Sequence, residues 1–308
     1  MKSYCLSDSI INSSEALLFM DEITFTKEPD ILVKWHTELN TVLVNEMYEK
    51  FNCDEENKAE RSFNDVIPKA KISKYSRLIF YYTQVLFKIE YSDVMNHFVT
   101  IDVYVCNGFP SDLAKEMLLT DALPIAIFMK TGLFFIHAAC VELDGKYIAL
   151  LGDGGSGKST LVSFLYSKGH KVLSDDMICI SIDGAMKTTS YINYMRLWND
   201  SYNNFGKINI GTTYNGKHLL KINKSFDDWV EVNICCWLNR GGLKTEIVPL
   251  NAMEGYIKLI SSLIMGFSYK KSELELIRNR LIYISKTNSL FVFNYCDGYD
   301  KLNKIIPV

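Results

Sequence analysis

The chain has no segment suited to a membrane. Its longest apolar stretch, Ala122–Met129, contains Pro124 and falls well short of the roughly 20 residues that a bilayer-spanning helix needs. The opening run MKSYCLSDSIINSSE lacks an apolar centre, so no secretory signal is expected and the expected location is cytoplasmic. None of the eight cysteines, at 5, 53, 106, 140, 179, 235, 236 and 296, forms a C-x-x-C pair or stands with histidine at zinc spacing. Several lie in apolar strand-like runs such as IHAACVEL and MICISI, and read as reduced core residues. A strong charge of one sign is also missing. The net charge is −3 with acids and bases interspersed, which argues against nucleic acid or a charged membrane surface as the main partner. Internal repeats and low-complexity tracts are absent. What remains is 308 residues, 48 % hydrophobic and 13 % aromatic. That is enough for a sizeable core, long for one domain and short for three.

Gly152 to Ser159 reads GDGGSGKS, a full match to G-x-x-x-x-G-K-[ST]. Glycines at 152, 154, 155 and 157 allow positive φ, so successive N–H groups can face phosphate oxygens. Lys158 supplies a charge for the β- and γ-phosphates, and Ser159 carries a hydroxyl suited to Mg²⁺. KYIALLG (Lys146–Gly152) reads as a strand, and KSTLVSFLYSKG (Lys158–Gly169) as a helix ended by Gly169. Phosphates would then sit at a helix N-terminus. The nucleotide-binding stretch is placed at Gly152, Asp153, Gly154, Gly155, Ser156, Gly157, Lys158, Ser159 and Thr160.

HKVLSDDMICISI (His170–Ile182) is rich in β-formers and ends in a DGA turn at Asp183–Ala185. One helix, one tight turn and half a strand separate Lys158 from Asp175. The strand is therefore expected beside the P-loop strand, with Asp175 and Asp176 level with the phosphate site. Neighbouring strand residues face opposite ways, so the two carboxylates are expected to have different tasks. Phosphoryl transfer needs an oxygen ligand for Mg²⁺ and a carboxylate to accept the acceptor's proton. The alternative, a solvated SDD turn, is disfavoured by the apolar residues on both sides.

FIHAACVELDGKYIALLGDGGSGKSTLVSFLYSKGHKVLSDDMICI (Phe135–Ile180) resembles the catalytic domain of the HPr kinase/phosphorylase family. A weaker likeness runs on through RLWND (Arg196–Asp200) and NGKHLLKI (Asn215–Ile222), similar to the HPr-kinase-like proteins found beside peptide-modification genes. The resemblance implies an α/β fold with α+β leaning, a mixed-sheet P-loop domain related to phosphoenolpyruvate carboxykinase. It implies ATP and Mg²⁺ as nucleotide substrate and metal. By position it makes Asp175 the general base, Asp176 the carboxylate near the metal, and His137 a histidine close to the transferred phosphate. Two departures stand out. Thr160 occupies a position usually held by glutamate, and YMRLWND (Tyr194–Asp200) replaces a glycine-rich signature. They point away from HPr itself as acceptor and away from the reverse phosphorylase reaction.

Residues 1–110 read as a small, mostly β module, from alternating aromatic-rich runs such as EALLFM, DILVKWH, SRLIFYYTQVLFKIEY and FVTIDVYVC. The polar stretch Asn52–Asp65 reads as an exposed loop. Residues 111–308 form the P-loop domain, entered through a helix over Leu113–Lys130 capped by NGFPSD. The ELDGKY turn predicts a hairpin, so the His137 strand and the P-loop strand are antiparallel. A strand over Val230–Arg240, helices over Asn251–Gly266 and Ser272–Lys286, and a strand over Leu290–Tyr295 complete the chain.

Five further residues have two readings each. His137 is either a core histidine or a phosphate neighbour. Arg196 either clamps a phosphate or acceptor, or is a surface arginine beside a core pair. Lys217 either steadies transition-state charge or is an ordinary turn lysine. Trp229 and Trp237 read as core rather than as substrate platforms. The expected activity is a Mg²⁺-ATP-dependent serine/threonine kinase with Asp175, His137, Lys158 and Arg196 at the centre and Ser159 and Asp176 at the metal. Its acceptor would be a peptide or small protein. Alternatives are a nucleotide-binding regulatory module without transfer, or a small-molecule kinase. A generic P-loop ATPase is disfavoured because no Walker-B strand ending in Asp-Glu and no LSGGQ-type signature follows. The sequence leaves homo-oligomerisation open.

Overall fold

A computed structural model describes residues 1–6, 9–17, 28–59, 67–81, 84–93, 98–182, 184–191, 194–205, 209–222, 229–242 and 244–295. Parts of the expected run EALLFM, the Asn52–Asp65 loop and the DGA turn, together with Cys296, lie outside these residues. The protein is mixed α/β with several mixed sheets. It divides into two compact units, residues 1–134 with 264–275, and residues 135–263 with 276–308. The boundary drawn in sequence at residue 110 falls inside the first of these. Among the described residues no helix is long and apolar enough to cross a membrane.

The first unit is built on an eight-stranded mixed sheet. Its longest strands follow the alternation of their sequence. In Phe98–Cys106, Val99, Ile101 and Val103 are fully buried and the residues between them are not. Ser111–Met117 and Leu123–Thr131 form the expected helix, joined by a π-turn over Leu118–Ala122. Pro124, which has no N–H to give, accounts for that irregularity. Gly132, at φ 78°, ends the helix.

The second unit holds a seven-stranded sheet in the order Val172–Ser174, Ala139–Leu143, Lys146–Leu151, Val230–Arg240, Ser289–Tyr295, Glu246–Pro249, with Lys187–Thr188 paired to Val230–Arg240 off this path. Ala139–Leu143 and Lys146–Leu151 are antiparallel, as expected. Asp144 at φ 49° and Gly145 at φ 74° make the two-residue turn between them. On its other side the P-loop strand runs parallel to Val230–Arg240, which runs parallel to Ser289–Tyr295. The helix Lys158–Ser167 buries Leu161, Val162 and Leu165 with Ala139, Val141 and Leu150 of the hairpin.

Two expectations for His170–Ile182 are corrected. The segment is not one strand. Val172–Ser174 and Ile178–Ile180 belong to different sheets, and Asp175–Asp176 form the bend between them. Nor does it lie beside the P-loop strand. Val172–Ser174 pairs with Ala139–Leu143, because the tight hairpin has already filled that edge of the P-loop strand.

Candidate active site

Strand direction gathers the site. The P-loop strand and Val172–Ser174 are both antiparallel to Ala139–Leu143, so they run the same way. Their C-terminal ends meet the N-terminal end of the strand between them. The loop after Leu151, the bend after Ser174 and His137 before Ala139 therefore share one edge of the sheet. The pairs Ala139–Leu150 and Cys140–Ser174 set that level.

The loop is shaped by three of its four glycines. Gly152, Gly155 and Gly157 have φ of 149°, 81° and 85°, whereas Gly154 stays outside the left-handed region. A Cβ on Gly152 would lie 2.5 Å from Ser156 Oγ and 3.0 Å from the Leu238 carbonyl. The Ser156 N–H donates to the Asp153 carbonyl at 3.0 Å, and the buried Ser156 hydroxyl has no partner among the described residues.

Lys158 is buried rather than extended into solvent. Its ammonium donates to the Gly152 carbonyl at 2.6 Å and the Asp153 carbonyl at 3.3 Å, which the curl of the loop turns back toward the helix start. Burial lowers its pKa, against the pull of Asp176, Asp175 and Asp153. The Thr160 side chain, assigned from sequence to the nucleotide, faces the helix Asn199–Phe205 and bonds Ser201 Oγ at 2.7 Å.

Asp175 is 2 % exposed. One carboxylate oxygen accepts the Arg196 backbone N–H at 3.1 Å, and the other, also buried, has no partner at hydrogen-bonding geometry among the described residues, the Ser159 hydroxyl being a looser neighbour of the carboxylate. Burial, then the neighbouring Asp176 charge, pushes its pKa up to about 6, with the Arg196 N–H and the Ser159 hydroxyl pulling the other way. Asp176 is also taken out of water, which by itself would raise its pKa. Arg196, His137, Lys217 and Lys158 reverse that and hold it below the usual carboxylate range. Its direct partners are the Arg196 guanidinium and, at 3.7 Å, His137 Nδ1.

His137 Nδ1 lies 2.9 Å from the Asp176 backbone carbonyl. A carbonyl only accepts, so Nδ1 carries the proton and Nε2 is the lone-pair nitrogen of the neutral ring. Loss of hydration lowers the pKa of His137, against the pull of the Asp176 charge.

Arg196 is delivered by a small sheet of Tyr194–Leu197, His218–Lys221 and Asn209–Thr212. The pairing Leu197–His218 puts Trp198 and Lys217 at one end of it. The Lys217 ammonium lies 5.1 Å from the Trp198 ring centroid, and Trp198 is 57 % exposed. So Arg196 and Lys217 both join the charges around Asp176, and neither is a remote surface residue. Trp237 is buried with the Lys258 ammonium 4.2 Å from its ring centroid, and Trp229 is half-buried.

The Leu197-Trp198 pair read from sequence as core is split, Leu197 being buried and Trp198 exposed. The sequence did not point to Tyr295, whose hydroxyl donates to the Ser156 carbonyl. Tyr295 lies on the last described strand, and no local pattern ties it to the loop. Among the described residues no cluster of three or more His, Cys, Asp or Glu could hold a metal by itself. The Ser159 hydroxyl, which neighbours the Asp175 carboxylate, and Asp176, next in the chain, do fit a Mg²⁺ ion that takes its other ligands from phosphates and water.

No family model matches the chain, and no curated protein matches it. Among solved structures, an HPr(Ser) kinase/phosphatase from Coxiella burnetii is similar at 12 % identity and a TM-score of 0.30, over 56 % of this chain and 90 % of that one.

Proposed function

We propose that the protein is a Mg²⁺-ATP-dependent phosphotransferase that phosphorylates a hydroxyl, a serine or threonine of a peptide or small protein. One observation carries this reading. Asp175 is a buried carboxylate with one unpartnered oxygen and a pKa of about 6, at the sheet edge that also bears a phosphate-binding loop. A structural carboxylate is normally satisfied on both oxygens, whereas a general base needs a free lone pair and a pKa near the working pH. The likeness of Phe135–Ile180 to HPr kinases supports the choice of a protein hydroxyl.

The chain's own groups divide the work. Loop N–H groups and Lys158 hold the phosphate chain. Asp175 accepts the acceptor's hydroxyl proton on its free oxygen. Arg196 and Lys217 balance negative charge beside it, and His137 offers a neutral Nε2. Ser159 and Asp176 would hold Mg²⁺, which when bound neutralises phosphate charge.

The test combines a serine/threonine peptide library with γ-labelled ATP, for the wild type and for Asp175→Asn. The wild type is expected to label hydroxyl peptides, and the variant to bind Mg²⁺-ATP without labelling. Binding with neither transfer nor phosphate release in the wild type would leave a regulatory nucleotide-binding module. Phosphate release without labelled peptide would leave an ATPase.

A further inference from the structure

The P-loop has an anchor that lies far from it in sequence. Tyr295 ends the strand Ser289–Tyr295 and is 5 % exposed. Its ring stacks on Phe293, centroids 5.5 Å apart, in the core that also holds Leu150 and Leu161. The phenol donates to the Ser156 carbonyl. The hydroxyl also overlaps the place a methyl group would take on Gly157, and such a group would come within 3.4 Å of the ring carbon Cζ. The end of the strand is itself tied down, since the N–H groups of Gly241 and Gly242 donate to the Tyr295 carbonyl at 3.0 and 3.1 Å.

An account of the loop carbonyls gives this hydroxyl a task. A loop that turns its N–H groups toward phosphate turns carbonyls away, and each buried carbonyl needs a donor. The Gly152 and Asp153 carbonyls share the Lys158 ammonium, for which phosphate oxygens compete. The Ser156 carbonyl has a neutral donor that phosphate does not draw off. That carbonyl and the Gly157 N–H belong to one planar peptide and point opposite ways. Fixing the carbonyl therefore aims the N–H.

We propose that Tyr295 is a positioning residue of the phosphate-binding loop. Its hydroxyl holds the Ser156–Gly157 peptide in the orientation that presents the Gly157 N–H to the phosphate chain, and its bulk adds a second reason, beyond φ, for glycine at 157. The proposal rests on the reading of the loop as a phosphate site.

Wild type, Tyr295→Phe, Gly157→Ala and the double variant would be titrated calorimetrically with Mg²⁺-ATP, Mg²⁺-GTP and Mg²⁺-pyrophosphate, with thermal melts alongside. Tyr295→Phe keeps the ring and its packing. It is expected to bind about three- to tenfold more weakly, the net worth of one hydrogen bond. Gly157→Ala should lose more. The double variant should bind more tightly than Gly157→Ala, although each single change weakens binding. A purely structural Tyr295 would lower the melting temperature without producing that reversal. Should Gly157→Ala not fold, recovery of folding by Tyr295→Phe is the same test read in the melt. If Tyr295→Phe binds like wild type and rescues nothing, the latch is overturned while the phosphate loop stands. If the wild type binds none of the three ligands, the phosphate-site reading falls and takes the latch with it.

Discussion

Asp175 and Asp176 are neighbours in sequence with opposite electrostatics. Asp175 is raised from an ordinary 3.8 to about 6, first by burial and then by Asp176. A carboxyl with a raised folded-state pKa favours folding most when protonated. Its contribution is complete below about pH 4 and is lost as the pH rises through about 6. Asp175→Asn removes that penalty. At pH 7.5 the variant is expected to be more stable than wild type by an amount on the order of 2 kcal/mol, an advantage that shrinks toward pH 4. Its transfer rate should fall by two to four orders of magnitude, the usual worth of a placed base. Melts at the two pH values and a transfer assay check both, and a variant less stable at pH 7.5 would contradict the buried-charge account. On the proposed reading of Asp175 as the base, wild-type transfer should climb with pH through about 6, because the carboxyl must first lose its proton. Asp176→Asn acts on other groups. Its charge raises the pKa of His137, so the imidazole should titrate still lower in the variant, which NMR can follow. The Mg²⁺ concentration needed for ATP binding should rise.

The hairpin Ala139–Leu143 and Lys146–Leu151 is the element that organises the site. Its turn lies at the opposite strand end from the loop, next to the pair Leu143–Lys146. Gly145 at φ 74° is one of its two central residues. Alanine there meets the left-handed penalty of roughly 1–2 kcal/mol. Gly145→Ala is expected to lower the stability of the protein by that amount and to leave nucleotide affinity unchanged. Denaturant unfolding and calorimetry separate the two effects. A matching loss of affinity would show that the hairpin's far end is coupled to the loop. Elements with strong local signals were legible in advance. The strand Val230–Arg240 and the helix Lys158–Ser167 follow from apolar runs bounded by Gly or polar residues. The bend at Asp175–Asp176 was not, because the same β-forming residues satisfy one long strand or two short ones. Which sheet each half joins depends on partners elsewhere in the chain.

At the scale of the molecule, the first unit is completed from afar. Arg77, 1 % exposed, donates to Glu273 at 2.6 Å and to the Ser268 carbonyl at 3.1 Å, both on the returning segment 264–275. Removing one partner of a buried ion pair strands the other charge, at a cost of roughly 3–5 kcal/mol. Glu273→Ala should therefore destabilise the first unit by a few kcal/mol. Hydrogen exchange is expected to show the loss in the strands Lys69–Ile72, Ser76–Tyr81 and Val85–Ser92 rather than in the P-loop sheet; uniform protection in both units would count against it. The sequence alone determined the glycine-rich loop 152–159, its flanking strand and helix, and the Asp-Gly hairpin, because residue types at fixed short spacings impose φ and periodicity within a few residues. The tertiary structure alone decided the contact of the Arg196 N–H with Asp175, the pairing of Arg196 with Asp176, the hold of Tyr295 on Ser156 and the return of 264–275 to the first unit. Each joins residues separated by from about twenty to nearly two hundred positions, and which of many chemically equivalent partners meet is set by the packing of whole sheets, not by any local preference.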